Sequence, residues 1–346
     1  MIDLNNYMLQ GEPDQKERGY IWHTAIGLQQ TDGLKTSEYL IATANRNING
    51  EITLEEAQSL INSYYESKPI ESDDNTRTEE ADKVSATVSL ILAEKAFSFS
   101  PVEYISIHRR LFDGVYKFAG KIRDYNISKK EWVLNGETVY YAGADSIRET
   151  LEYDFKRERE FDYKTLSVTE AAKQIAKFIS GLWQIHAFGE GNTRTTAVFA
   201  IKYLRTFGFD VTNDIFAENA WYFRNALVRA NYRNIKKGIH ATQEFLDRFF
   251  ANLLLNENNT LKNRDLRVKK LNDDTVNDTV NDTVKLSESQ RRVLAALKKN
   301  PNITAERIAK QCNISESTVK RALSVLKNKE FINRVGSDKT GYWVCL

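Results

Sequence analysis

The densest run of chemically capable side chains in this 346-residue sequence is His186-Ala187-Phe188-Gly189-Glu190-Gly191-Asn192-Thr193-Arg194-Thr195. A histidine titrates near neutral pH and suits a general base. Gly189 and Gly191 let the backbone approach a ligand closely. Asn192 is a favoured N-cap, and the free amides of a helix beginning near Thr193 make an anion site. Phosphate is the natural occupant, because Arg194 offers forked donors to its oxygens and Glu190 offers a hard carboxylate to the magnesium that accompanies nucleotide phosphates. Taken singly, His186 reads as a hydrogen-bonded structural histidine and Glu190 as a helix-dipole cap. Their company is what argues for a nucleotide-handling site.

Such a loop works only if both flanks are rigid. Ser167-Val168-Thr169-Glu170 has capping-box form and opens the helically spaced series Ala171, Ala172, Ile175, Phe178, Ile179 and Leu182. A second helix is expected from about Thr195 to Phe207, stopping at Gly208, with more over Ala220 to Tyr232 and Thr242 to Leu255. Nearer the start, Thr36 to Asn47 reads as a helix, and a capping box at Thr53-Leu54-Glu55-Glu56 opens another reaching Tyr65. Between Ile122 and Tyr141 the residues turn β-branched and aromatic around Asn135-Gly136, a strong hairpin signal. Four Pro and sixteen Gly beside abundant Leu, Ala, Glu and Lys favour a mainly α chain.

Two cysteines, Cys312 and Cys345, cannot make a disulfide framework or a repeated zinc spacing, so a reducing, cytoplasmic setting is expected. The polar start lacks a basic n-region and an apolar h-region, and no stretch is long enough to span a bilayer, so no membrane partner is expected. From 273 to 284 Asp-Thr-Val recurs with Asn between copies, a polar repeat that reads as a tether. Beyond it, residues 285–346 hold eight Lys and five Arg against four Glu and one Asp, a net of +8. The whole-chain charge of +2 therefore leaves −6 on the first 284 residues.

The histidine-led run resembles the signature of the Fic family, roughly His-Pro-Phe-x-Asp/Glu-Gly-Asn-Gly-Arg, at His186, Phe188, Glu190, Gly191, Asn192 and Arg194. Ile107-His108-Arg109-Arg110-Leu111-Phe112 and the stretch from Tyr116 to Arg123 resemble the family's upstream helix and the entry to its β-hairpin flap. The likeness covers roughly residues 75 to 255. It implies a helical core with a hairpin flap, and transfer of AMP from ATP, with Mg²⁺, to a Ser, Thr or Tyr hydroxyl of a target protein. By analogy His186, Asn192 and Arg194 are catalytic, and Gly189, Gly191, Asn192, Thr193 and Arg194 bind the nucleotide. Glu190 holds the metal, and the flap near Glu131 to Tyr141 aligns the target by strand addition. Three positions depart from the pattern: Ala187 for Pro, Thr193 for Gly, and Ala197 where many members carry a second Arg for the terminal phosphates. A family inhibitory helix, Ser/Thr-x-x-x-Glu-Gly/Asn, has its nearest counterpart at Asn45-Arg46-Asn47-Ile48-Asn49-Gly50. Asn49 replaces its glutamate, so the segment is expected to persist as scaffold with its ion pair lost.

In the tail, capping patterns at Ser287 and Thr304 and a third helix from Ser315 give a helix-turn-helix, and two strands around Gly336 to Gly341 complete a winged-helix resemblance (α+β). Ser317, Thr318, Lys320 and Arg321 on the recognition helix, with Lys339 in the wing, would contact DNA. The expected domains are 1–74, a helical segment with the inhibitory-helix-like region; 75–265, the Fic body; 266–285, the linker; and 286–346, the winged helix. The leading function is a protein adenylyltransferase with a DNA-binding tail. Its rivals are a nucleotide-sensing DNA-binding regulator with an impaired body, and transfer of another nucleotide or phosphate-containing group. A homo-oligomer stays open. His108 reads as a helix-surface residue near the core, and His23 and His240 lack ligand-spaced companions.

Overall fold

Side-chain caps set many of the helix starts. In this computed structural model, which describes residues 13–67, 73–209, 211, 214–268, 288–301, 303–312, 314–328, 332–335 and 342–345, the chain forms two compact units, Met1–Asp273 and Asp274–Leu346. The first opens with helix α1 (Pro13–Gly27), a 3₁₀ turn (Leu28–Asp32), α2 (Glu38–Ile48) and α3 (Leu54–Glu66). Ser37 caps α2 by accepting from Leu40 N, and Thr53 with Glu56 forms a complete capping box on α3. There follow α4 (Asp73–Ala93), α5 (Pro101–Phe112), α6 (Ile147–Glu160), α7 (Val168–Ile185), α8 (Asn192–Thr206), the short α9 (Ile215–Glu218), α10 (Ala220–Asn231) and α11 (Glu244–Leu255). No helix among the described residues is long and apolar enough to cross a membrane.

Helix α8 is the axis of this unit. Every residue from Asn192 to Leu204 is buried, so that stretch has no solvent-facing side. Helix α7 supplies Ile175, Ile179 and Leu182, at the spacing its capping-box pattern suggested. Helix α4 serves two cores at once. Val84, Val88, Ile91 and Leu92 face the main one, while Ala86 joins Trp22, Leu40, Ala44, Ile48 and Ile61 in a satellite cluster. The N-terminal helices are thereby fastened to the body, and Leu28 sits in the same core as Phe188 and Phe199. Each such fully buried side chain contributes about 1.5–3 kcal/mol.

The expected β-hairpin flap is not there. Residues 122–141 contain no strand and instead turn through a 3₁₀ segment, Trp132–Leu134. Asn135 and Gly136 do take the positive φ values of 56° and 93° that a tight Asn-Gly turn needs. The flanks break the alternation that a strand requires, because the consecutive Val133 and Leu134 are both buried in the core. Glu131, 1% exposed, is pinned by Arg224 with Nη1 to Oε2 at 2.7 Å.

The second unit contains α12 (Glu288–Lys299), α13 (Ala305–Cys312) and α14 (Glu316–Asn328), packed around Val293, Leu297, Ile308, Val319 and Leu326. Strands β1 (Ile332–Val335) and β2 (Tyr342–Cys345) pair antiparallel, Ile332 opposite Cys345 and Val335 opposite Tyr342. Among the described residues these two four-residue strands are the whole sheet, and they stand where two strands around a turn were expected. The expected wing, with Lys339, lies outside the described residues.

Gly27 ends α1 against α9, where a Cβ would lie 2.4 Å from Ala217 O and 2.5 Å from its Cα. Replacing an unconstrained helical glycine by alanine stabilises by about 0.5–1 kcal/mol. Gly27→Ala is expected to do the opposite, lowering the urea unfolding free energy by about 1–3 kcal/mol, because the neighbour is backbone and cannot step aside. A midpoint equal to or above that of the parent protein would refute this contact.

Candidate active site

The loop between α7 and α8 begins with strain. His186 ends α7 in the left-handed region, φ 50° and ψ 57°, which is uncommon for a residue with a Cβ. That turn seats the imidazole beside Tyr141, ring centroids 4.1 Å apart, and edge-on to Trp183 at 5.2 Å. Nδ1 lies 3.3 Å from Trp183 O, a contact that fixes the Nδ1–H tautomer. Nε2 is then an unprotonated acceptor, and it is buried with no hydrogen-bond partner. Burial, followed by the positive charges of Lys129, Arg224 and Arg123, holds the ring well below its ordinary pKa of 6.5, so at neutral pH His186 is an uncharged base.

The remaining loop is braced from several directions. Arg123 donates Nε to His186 O at 2.7 Å, and its other nitrogens reach the carbonyls of Tyr125, Ala142 and Ile185. Asn192, the first helical residue, accepts from Phe188 N at 3.0 Å and donates to Phe188 O at 2.7 Å. The N-cap position expected for it belongs to Gly191. At φ 75° Gly191 also leaves no room for a Cβ, which would fall 2.3 Å from the Phe112 ring. Gly189 lies under the Tyr125 hydroxyl, 2.7 Å from where a Cβ would be. Thr193 accepts from Trp183 Nε1 at 3.0 Å. The first bond across the helix start is Thr195 N to Gly191 O at 3.0 Å, which leaves the amides of Asn192, Thr193 and Arg194 as first-turn donors without an intrahelical acceptor.

Arg194 does not project into this anion-facing space. Its side chain is 1% exposed, with Nη2 2.6 Å from Glu80 Oε1, Nε 2.8 Å from Asp32 Oδ2 and Nη1 3.1 Å from Gln29 Oε1. The guanidinium packs over the Phe112 ring, and Tyr116 donates to Glu80 at 2.6 Å. Burial opposes the charge, but Asp32, Tyr116 and Glu80 more than reverse that, raising the pKa. Glu190, by contrast, is half-exposed, and both its carboxylate oxygens accept from Lys129 Nζ, at 2.9 and 2.8 Å. Ala197 is fully buried.

His186, Gly189, Glu190, Gly191, Asn192, Thr193 and Arg194 thus lie together on one loop and helix start. The inhibitory-helix-like residues lie elsewhere. Asn45 bonds to Ile41 O within α2, Asn49 contacts Gln15 and Glu51, and Gly50 faces Arg18. In the tail, Thr318 shares its hydroxyl with Ser315 at the start of α14, and Lys320 pairs with Glu316, both on the helix expected to face DNA. Arg321 is exposed on α14, and Ser317 falls within that helix.

Several braces escaped the sequence reading. Glu80 carried a usable signal, since it stands four residues before Val84 and eight before Val88, a carboxylate in line with an apolar stripe. Arg123 closed the stretch from Tyr116 that resembles the flap entry, while Gln29, Asp32 and Lys129 carried no signal. His108 is fully buried rather than on a helix surface. It stacks on Phe188 at 3.7 Å, donates Nε2–H to Glu190 O at 3.0 Å and accepts at Nδ1 from Gly120 N at 2.9 Å.

Residues 98–204 match the Fic/DOC family, and residues 286–333 match the winged helix-turn-helix DNA-binding family. Over 108 residues the chain is 29% identical to the protein adenylyltransferase VbhT of Bartonella schoenbuchensis, which amounts to 31% of this chain and 21% of that protein. The chain thus spans about a fifth of the curated relative it matches. Among solved structures, BepC of Bartonella tribocorum, with bound AMPPNP, aligns at 20% identity over 53% of this chain and 88% of that one, TM-score 0.42. A Fic family protein from Desulfovibrio desulfuricans aligns at 12% identity over 94% of this chain and 87% of that one, TM-score 0.41.

The two bonds of His108 require a neutral ring, and protonating Nδ1 would expel the Gly120 amide. Burial lowers its pKa to about 4 from 6.5. Between those values the unfolded chain takes up a proton that the folded one refuses, so stability falls as the pH drops from about 6.5 to about 4. From pH 7 to 4.5 this one group removes about 2–3 kcal/mol. His108→Gln, which keeps one donor and one acceptor, is expected to show a urea-unfolding loss smaller by about that amount over the same interval. Equal losses in both proteins would contradict the assignment.

Proposed function

We propose that the loop and the start of α8 form a nucleotide-phosphate site, and that the protein transfers AMP from ATP to a Ser, Thr or Tyr hydroxyl of a target protein. One observation carries this reading: His186 Nε2 is a buried, uncharged acceptor with no partner, beside a helix N-terminus whose first amides lack an intrahelical acceptor. A structural histidine satisfies both nitrogens, whereas a general base must keep one free for the proton it removes. The match of residues 98–204 to the Fic/DOC family and the likeness to a protein adenylyltransferase support the same chemistry.

In the reaction, the target hydroxyl gives its proton to His186 Nε2 and its oxygen bonds to the α-phosphorus. The bond from that phosphorus to the oxygen bridging to the β-phosphate breaks, and pyrophosphate leaves with the electron pair. The amides of Asn192, Thr193 and Arg194 face the growing phosphate charge, in the geometry that helix starts offer to anions. The Asn192 side chain shapes the loop, bonding Phe188 through both its polar atoms. Arg194 acts likewise, by fixing the first turn of α8.

No cluster of three or more metal-ligating side chains occurs among the described residues. Magnesium carried on nucleotide phosphates needs only one or two protein carboxylates, and the half-exposed Glu190 fits that requirement. Bound there, Mg²⁺ would supply neutralising charge to the phosphates. The tail, through Lys320, Arg321 and neighbouring residues of α14, would bind DNA.

A second reading, a nucleotide-sensing regulator without transfer, draws on Arg194 being enclosed by two carboxylates and on Ala197. Incubation with α- or γ-labelled ATP and cell lysate separates the two. AMP transfer predicts protein labelling from the α-label alone, reduced about 10²–10⁴-fold in His186→Ala, the range for losing a general base. Labelling unaffected by that substitution would remove His186 as the base, and no labelling by any nucleoside triphosphate would favour the sensor.

A further inference from the structure

The cations around the loop do not match the role assigned to them by its sequence. Of those that belong to or touch residues 186–194, Arg194 is enclosed at 1% exposure between Asp32 and Glu80, and Arg123 is spent on backbone carbonyls. Neither can turn to a phosphate without abandoning a buried partner. Ala197 supplies no charge. Lys129 is different. Its side chain is 25% exposed, and its ammonium rests on the outer, half-exposed carboxylate of Glu190, next to the first turn of α8. Its backbone is held across the 122–141 segment by Lys129 N donating to Thr138 Oγ1 at 3.1 Å, so the residue is placed rather than dangling.

We propose that Lys129 is the phosphate-binding cation of this site, and that its ammonium leaves Glu190 for the phosphates when a nucleotide binds. The inference rests on the nucleotide-phosphate reading above. A solvent-reached ion pair is held weakly, so the ammonium can exchange Glu190 for phosphate oxygens at little cost. The enclosed Arg194 pair cannot, because separating it leaves charges uncompensated in the interior. The exchange also frees both Glu190 carboxylate oxygens, which the ammonium otherwise engages, for a divalent cation carried on the phosphates.

Isothermal titration calorimetry of the full chain with ATP, in EDTA and in Mg²⁺, tests this. The parent protein is expected to bind ATP in both conditions, because Lys129 meets the phosphates whether or not metal is present. Lys129→Met should weaken binding in EDTA by about tenfold or more, and Mg²⁺ held by Glu190 should recover part of the loss. Lys129→Arg should rescue binding in EDTA. Glu190→Gln, which releases Lys129, should bind ATP in EDTA at least as tightly as the parent. Unchanged thermal melting by circular dichroism identifies variants that fold. If Lys129→Met binds ATP in EDTA as the parent does, Lys129 is not the phosphate cation, while the nucleotide reading stands. If the parent binds none of ATP, GTP, CTP or UTP in either condition, the nucleotide reading falls and this inference falls with it.

Discussion

A buried guanidinium must be paired, and the pairing of Arg194 fastens this molecule together. Its partners come from separate parts of the chain: Gln29 and Asp32 from the 3₁₀ turn after α1, Glu80 from α4, and Tyr116 from the turn after α5. Isolated, a charge at this depth would cost far more than the fold can absorb, so these elements must arrive together at the first turn of α8. Removing one partner of such a group typically costs about 3–5 kcal/mol. The N-terminal helices are therefore part of the architecture that aims the loop, even though the segment resembling an inhibitory helix lies in the satellite core away from it.

With the helix start anchored from beneath, the loop is shaped from its sides. Arg123 and His108 grip its carbonyls, Asn192 closes it on itself, and the left-handed turn at His186 faces the imidazole into the structure. Local strain of about 1–3 kcal/mol is tolerated at such a residue only when its surroundings over-determine it. The result separates two kinds of charge. Interior charges, on Arg194 and on Arg224 with Glu131, hold geometry, while the half-exposed pair of Lys129 and Glu190 remains available to a ligand.

Much of this was legible in the sequence, and the limits have physical causes. Capping boxes at Thr53 and Ser167 are local patterns, and helices begin where they indicate. The loop is equally local, so its residues could be read as one cluster. The flap failed because the Asn-Gly turn forms but its flanks answer to tertiary demands: Val133 and Leu134 both enter the core, and Glu131 is drawn to Arg224, 93 residues away. Partners such as Gln29 and Glu80 stand 165 and 114 residues from Arg194, separations at which no periodicity speaks. The motif thus identified Arg194 as important, while the partners that enclose it depended on contacts that only the fold reveals.

His186 as a neutral base with Nε2 free can be read from the nitrogen chemical shifts of ¹⁵N-labelled histidine in the intact protein, which contains four histidines, assigned with His186→Gln. The expected result is an Nδ1–H tautomer at pH 7, with Nε2 unprotonated and the ring uncharged. An Nε2–H tautomer, or an imidazolium at pH 7, would contradict it.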